Sequence, residues 1–436
     1  MIDRYSTPEM REVWSSRRRF ERMLEVEVAY LEALEEDGIA PPGGAAVIRE
    51  RVRLDPARIE ALEETLRHDV IAFLAHVEEQ VGEAGRFLHF GLTSSDALDT
   101  ALALQFQEAG ALILRDWREL DRVLLDQAQA HRGVPVAGRT HGMHAEVTSF
   151  GLVLLGWREM VARAMERLRA GFEEVRVGKL SGAVGNLAFG DPDREARVLS
   201  RLGLRPEPCA TQVVARDRHA ALFSALAQGA AVIEAIATNL RHLQRTEVGE
   251  AEEPFGRGQR GSSAMPHKKN PILSENLCGL ARLVRSYSLA ALEDVALWHE
   301  RDISHSSVER VIAPDATSLI HFAVRRLAGI LRGLQVHPER MARNLAVTGD
   351  VLHSEAVLLA LVRAGLRRQE AYGLVQRNAL KALSEGGSFQ ERLRADPEVA
   401  ARIPEDDLAA CFSLDRHLRF EPAIFHRRSP DPPEAE

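Results

Sequence analysis

The stretch ALFSALAQGAAVIEAIATNL, Ala221 to Leu240, decides how this chain folds. A run of this length and apolarity reads either as a membrane span or as a helix inside a protein core. Gln228 and Glu234 lie within it, and alanine, serine and glycine fill much of the rest. Small residues on several faces let neighbouring helices approach closely. The stretch is therefore read as a helix enclosed in a bundle.

The same helical periodicity runs outward in both directions. Long apolar-periodic segments span Thr100 to His131, Thr148 to Val175, His219 to Glu247, Ile272 to Val295 and Pro314 to Val336. At about 1.5 Å per residue these are helices roughly 35–48 Å long. Broken only by polar loops, they predict an all-α protein with an elongated central bundle. A bundle this thin has much surface for its volume, so bundles from several subunits are expected to pack together. Three helical domains follow: 1–93, a central long-helix domain 94–340 containing a loop at 258–271, and 341–436, which closes on the tail SPDPPEAE, expected to be disordered.

Composition narrows the function. The 436 residues are 45% apolar and 28% charged, with a net charge of −8. There is no basic stripe or tail for nucleic acid or a membrane surface. Cys209, Cys278 and Cys411 are widely separated, with no CxxC pair, so neither a thiolate zinc site nor a disulfide framework is indicated. The opening MIDRYSTPEMREVW carries acids and no apolar core, so it is not a signal peptide, and a cytoplasmic protein is expected.

Chemistry on a helical scaffold concentrates in the segments that interrupt it. GLTSSDALDT, Gly91 to Thr100, places Thr93, Ser94 and Ser95 at a helix start, where hydroxyls and free N–H groups cap the helix or bind an anion. GRTHGMHAE, Gly138 to Glu146, holds His141 and His144 in a polar loop suited to general acid–base work. HERDISHSSVERVIAPD, His299 to Asp315, reads as a polar turn offering Arg301, Ser306 and Arg310, whose forks and hydroxyl fit carboxylate or phosphate oxygens. RHD, Arg67 to Asp69, sits in what reads as an ordinary helix, and Gly178 to Pro192 reads as a tight turn or hairpin. Lysine is scarce: only Lys179, Lys268, Lys269 and Lys381 occur, and two of them are adjacent in GQRGSSAMPHKKNP, Gly258 to Pro271.

With these segments in hand, the chain resembles the fumarase/aspartase superfamily. GSSAMPHKKNP (Gly261–Pro271) is similar to its long signature, and GRTHGMHAEVTSFG and GLTSSDALDT fit its two other motif regions in the same order. SAMPHKKNP, with His267 before the lysines, and ERDISHSSVER (Glu300–Arg310) are most similar to the adenylosuccinate lyase branch. Arg4–Tyr5 and Arg67–Asp69 also fit it. The resemblance implies an all-helical homotetramer with active sites shared between subunits and no cofactor or metal. It implies elimination of fumarate from adenylosuccinate, giving AMP, and from the succinyl-carboxamide imidazole ribotide, giving AICAR.

The resemblance also implies roles. Ser262 is the base and Ser263 binds substrate beside it. His141 is the general acid, Glu275 orients or charges it, and His68 assists the acid or binds phosphate. Lys268 and Asn270 bind carboxylate, and Thr93 and Ser94 hold the succinyl part. Gln212 binds substrate. Arg4, Tyr5, Arg67, His68 and Asp69 contact the nucleotide, while Arg301, Ser306 and Arg310 hold ribose and phosphate. Serine is a poor base at neutral pH, so its alkoxide needs cations and backbone donors. A compact lysine ammonium concentrates charge better than a guanidinium where a dianion develops. The competing readings are an argininosuccinate-type lyase, a metal-dependent hydrolase on His141, His144 and His68, and a non-catalytic helical scaffold.

Overall fold

The computed structural model describes residues 2–256 and 258–428; the tail expected to be disordered lies outside them. The described chain is mostly helical, with three two-stranded sheets. Its long helices are Ser94–Ala130, Phe150–Glu174, Arg216–Leu243, Ile272–Glu293 and Ser304–Arg332. The all-α class is as the periodicity predicts.

The chain divides into two compact units, one of residues 1–120, 161–235 and 276–327 and one of 121–160, 236–275 and 328–436. The division cuts each of the five long helices. In the first unit the apolar face of Ser16–Glu36 (Phe20, Met23, Leu31, Leu34) joins Val70, Phe73 and Val77 of Asp69–Val81 in one core. The small residues of the Arg216–Leu243 helix do what small residues allow. A Cβ on Gly229 would stand 3.2 Å from the Trp117 ring, and one on Gly171 would stand 3.1 Å from Ala225. Glu234, the charge inside the opening stretch, pairs with Arg285. This helix and the Pro338–Arg363 stretch are long and apolar enough to cross a membrane, but 56% of the apolar window of the first is buried inside the protein. The second is broken at Gly349, where φ is 65°.

In the second unit, Val357, Leu361, Phe389, Leu393 and Val399 form a separate core among the helices after residue 353. The same unit holds an antiparallel hairpin of β1 (Pro135–Thr140) and β2 (Met143–Ser149).

Three expectations are corrected. GRTHGMHAE is not a polar loop but this hairpin. Thr140 pairs with Met143, leaving His141 and Gly142 as a two-residue turn with φ of 55° and 77°. Two positive φ values match the right-handed twist of the flanking strands. HERDISHSSVERVIAPD is not a turn throughout, because the last long helix begins at Ser304, ten residues before the expected start. Pro314, the expected first residue of this helix, sits inside it. RHD is not helix interior. Arg67 ends one helix with φ 54°, and His68 caps the next by accepting the Ile71 N–H at 3.4 Å. Gly178 ends a two-residue parallel bridge of Val177–Gly178 to Arg205–Pro206, and the chain runs on in turns to the helix that begins at Pro192.

Candidate active site

The residues singled out by the sequence fall into two groups, one in each unit. In the first unit, Asp69 stands at the start of its helix, and one oxygen of its carboxylate receives both Arg310 (2.5 Å) and Arg19 (3.2 Å). Burial pushes the Asp69 carboxyl up; Arg310 and Arg19 more than offset this, leaving it below the usual carboxylate range. His68 lies 3.4 Å from the Ser94 hydroxyl through Nε2. Gln212 accepts a hydrogen bond from Arg301 at 3.0 Å. Arg310, Arg301 and Ser306 line one cavity of about 270 Å³, together with Arg19, Asp99 and Arg216. Arg67 and Arg4 are exposed, and Tyr5 packs edge-on against Phe322 at 5.6 Å.

The Thr93–Ser95 helix start is built from below. Asp96 and Lys179 form an ion pair with no exposed side-chain surface on either partner. Asp96 also accepts the N–H groups of Thr93 (2.7 Å), Ser181 (3.1 Å) and Gly182 (3.1 Å). Its acceptance from Thr93, three residues earlier, is the returning half of a capping box.

Into the wall of the cavity is built a charge network that sequence reasoning missed. Arg216 forks onto Asp99 at 2.7 and 2.9 Å and also reaches Glu309 at 2.9 Å, while His219 lies 2.5 Å from Glu309. Burial opposes ionisation of Glu309, but His219 and Arg216 overcome it and lower its pKa to about 2. Asp294 is pushed up to about 6 by burial and by Glu309, against the pull of Arg216 and His219. Glu309 lies inside the quoted ERDISHSSVER, but its partners are about 90 or more residues away in the chain. No local signal marks them.

In the second unit, the Ser262 hydroxyl oxygen accepts two backbone N–H groups, from Ala264 at 3.2 Å and Met265 at 3.1 Å. Ser263 beside it is exposed. The loop closes on itself: Asn270 donates to the Gly261 carbonyl at 2.9 Å, and Lys268 N–H donates to Met265 at 3.0 Å. A Cβ on Gly261 would fall 2.1 Å from the Lys268 carbonyl oxygen, so only glycine fits there. Lys269 anchors the loop, with its ammonium 3.4 Å from Glu252 and 5.7 Å over the Phe255 ring. Lys268 is exposed.

The next helix starts at Ile272. Glu253 caps it by accepting the Leu273 and Ser274 N–H groups at 3.1 and 2.6 Å, and Glu275 stands exposed in its first turn. His141 is exposed at the hairpin tip, and none of the described contacts joins it to Glu275. Burial and the nearby Arg139 lower the pKa of His144 against Glu250. Among the described residues, no three His, Cys, Asp or Glu side chains group as ligands for a metal ion.

Comparison with known proteins gives first the class. Residues 3–286 match the family model described as Lyase, and residues 350–428 match the one described as adenylosuccinate lyase C-terminus. The fold is shared with the crystal structure of a fumarate lyase from Mesorhizobium, with a TM-score of 0.89 and 28% identity over 98% of this chain and 99% of that one. The protein is a lyase of this superfamily. Adenylosuccinate lyases of Thermotoga maritima and Synechocystis are each 48% identical to it, over 427 and 428 residues, covering 98% of this chain and 99% of theirs. The chain belongs to the adenylosuccinate lyase family.

Proposed function

We propose that this enzyme eliminates fumarate from adenylosuccinate, giving AMP, and from the succinyl-carboxamide imidazole ribotide, giving AICAR, in purine nucleotide synthesis. The observation that carries the mechanism is the pair of backbone N–H groups on the Ser262 oxygen, since donors aimed at an oxygen favour its anionic form. The Ser262 alkoxide removes a proton from the succinyl carbon that lies next to a carboxylate and adjacent to the carbon bearing the departing nitrogen. The resulting dianionic aci-carboxylate is held by Lys268 and Asn270. As the carbon–nitrogen bond breaks, its electron pair leaves on nitrogen, which takes a proton from His141, with Glu275 orienting or charging that histidine. Stabilising the developing charge is the largest part of the work.

Ser263, Thr93, Ser94 and Gln212 hold the succinyl part and neighbouring substrate. Arg4, Tyr5, Arg67, His68, Asp69, Arg301, Ser306 and Arg310 hold the nucleotide. The organisation is three helical domains in a cytoplasmic homotetramer with shared sites. Its support is the apolar surface left exposed on and beside the long helices, including Leu289 (61%), Leu292 (53%) and Trp298 (78%).

The test is fumarate release from adenylosuccinate and from argininosuccinate, read by ultraviolet absorbance. Turnover is expected on the first alone, and turnover on the second alone refutes the substrate assignment. Mixed His141→Gln and Ser262→Ala subunits are expected to recover activity. No recovery after confirmed subunit exchange refutes shared sites.

A further inference from the structure

We propose that Arg139 and Glu250 form a clamp that positions the hairpin tip for proton donation by His141; the proposal rests on His141 being the general acid. Among the described contacts none holds the His141 ring, so the placement of the imidazole comes from the backbone beneath it. That backbone is a two-residue turn closed by the Thr140–Met143 pair, and the next pair down is Arg139 with His144. The ladder is irregular just below, with a register shift between Ala137 and Arg139. A bulge locally disrupts pairing and bends the strand, so the tip needs a support other than its ladder.

Arg139 supplies that support. Its guanidinium forks onto Glu250 at 2.6 and 2.8 Å and returns to the Ala137 carbonyl across the bulge at 3.3 Å. Glu250 is a rigid anchor. It has no exposed side-chain surface, and its carboxylate also accepts Asn344 Nδ2 at 2.8 Å. Its N–H donates to Leu243 at 3.0 Å and its carbonyl accepts the His337 N–H at 3.0 Å. Asn344 is tied in turn to the Val248 carbonyl at 2.8 Å. Two residues upstream of His141, the hairpin is thus bolted to the segment following the Arg216–Leu243 helix and to the Pro338–Leu345 helix.

A planar two-point fork fixes orientation where a single ammonium contact does not. Displacing an acid by about 1 Å costs roughly 10²-fold in rate. The clamp residues touch no reacting atom, so they act on the proton-transfer step through His141.

A kinetic series separates positioning from simple stability. Arg139→Met is expected to lower kcat about 10- to 100-fold while KM stays within about twofold, the pattern of an interaction that serves the transition state alone. Arg139→Met combined with Glu250→Met leaves no buried charge unpaired. It should melt like the parent yet keep the low kcat. Arg139→Lys keeps the charge and loses the fork, so it should recover only part of the rate. A double variant that melts and turns over like the parent overturns the proposal. If the double variant melts lower, Arg139→Lys decides, and full kcat in it overturns the proposal. His141→Gln is the control. If it is inactive while the clamp variants run normally, the general-acid reading stands and the clamp falls; if it is fully active, both fall.

Discussion

Lys179 and Asp96 meet with no exposed side-chain surface on either, directly under the Thr93–Ser95 helix start. In a chain that writes nearly every positive charge as arginine, this lysine brings a compact ammonium to Asp96 and donates to the Gly182 carbonyl at 3.2 Å. Lys179→Met leaves the Asp96 carboxylate buried with backbone donors but no countercharge. It is expected to destabilise the protein by about 3–5 kcal/mol, as losing one partner of a buried pair does. Denaturant unfolding reads this, and a loss below about 1 kcal/mol contradicts it.

Lys268 is the contrasting lysine, exposed in the signature loop. Lys268→Arg keeps the charge and spreads it. The expected outcome is a loss of kcat of at least about tenfold with an unchanged melting temperature, because the residue serves developing charge and not the core. Near-normal turnover with intact folding refutes the compact-charge argument.

Ser262 and Ser263 differ in geometry, since only Ser262 receives the two turn N–H groups given above. Ser262→Ala is expected to lower kcat by about 10²–10⁴, the usual range for a general base, and Ser263→Ala to act chiefly on KM. Equal kcat losses in the two would break the assignment. Gly261→Ala forces its Cβ into the Lys268 carbonyl and should cut kcat with little change in melting, since the loop is outside the core.

Asp294 gives a pH signature. Its folded pKa of about 6 lies above its ordinary 3.8, so between those values the folded state binds more protons than the unfolded one. Stability is therefore lost as pH rises from about 4 to about 6. Asp294→Asn imitates the protonated carboxyl, and its melting temperature should exceed that of the parent at pH 7, with the gain vanishing near pH 4. Glu309 runs the other way: its contribution is present above its ordinary 4.5 and fades as pH falls toward about 2. A constant offset for Asp294→Asn across this range refutes the burial of an ionising Asp294.

The sequence by itself determined that long helices dominate, because a 3.6-residue apolar period is a local pattern legible along each of them. It determined the family and the motif segments, because those are contiguous runs such as GSSAMPHKKNP. It misplaced the start of the Ser304–Arg332 helix, because a proline that normally opens helices sits inside this one. It missed the His141 hairpin, whose strands are short and whose His–Gly turn lacks the usual Asn–Gly signal. The tertiary structure alone decided that Asp69 receives Arg19 and Arg310, that Arg216 joins Asp99 to Glu309, and that Glu250 clamps Arg139. All of these pairings join residues 50 to 241 positions apart, so no local pattern carries them. They exist because a buried charge is tolerable only where folding brings its partner to it.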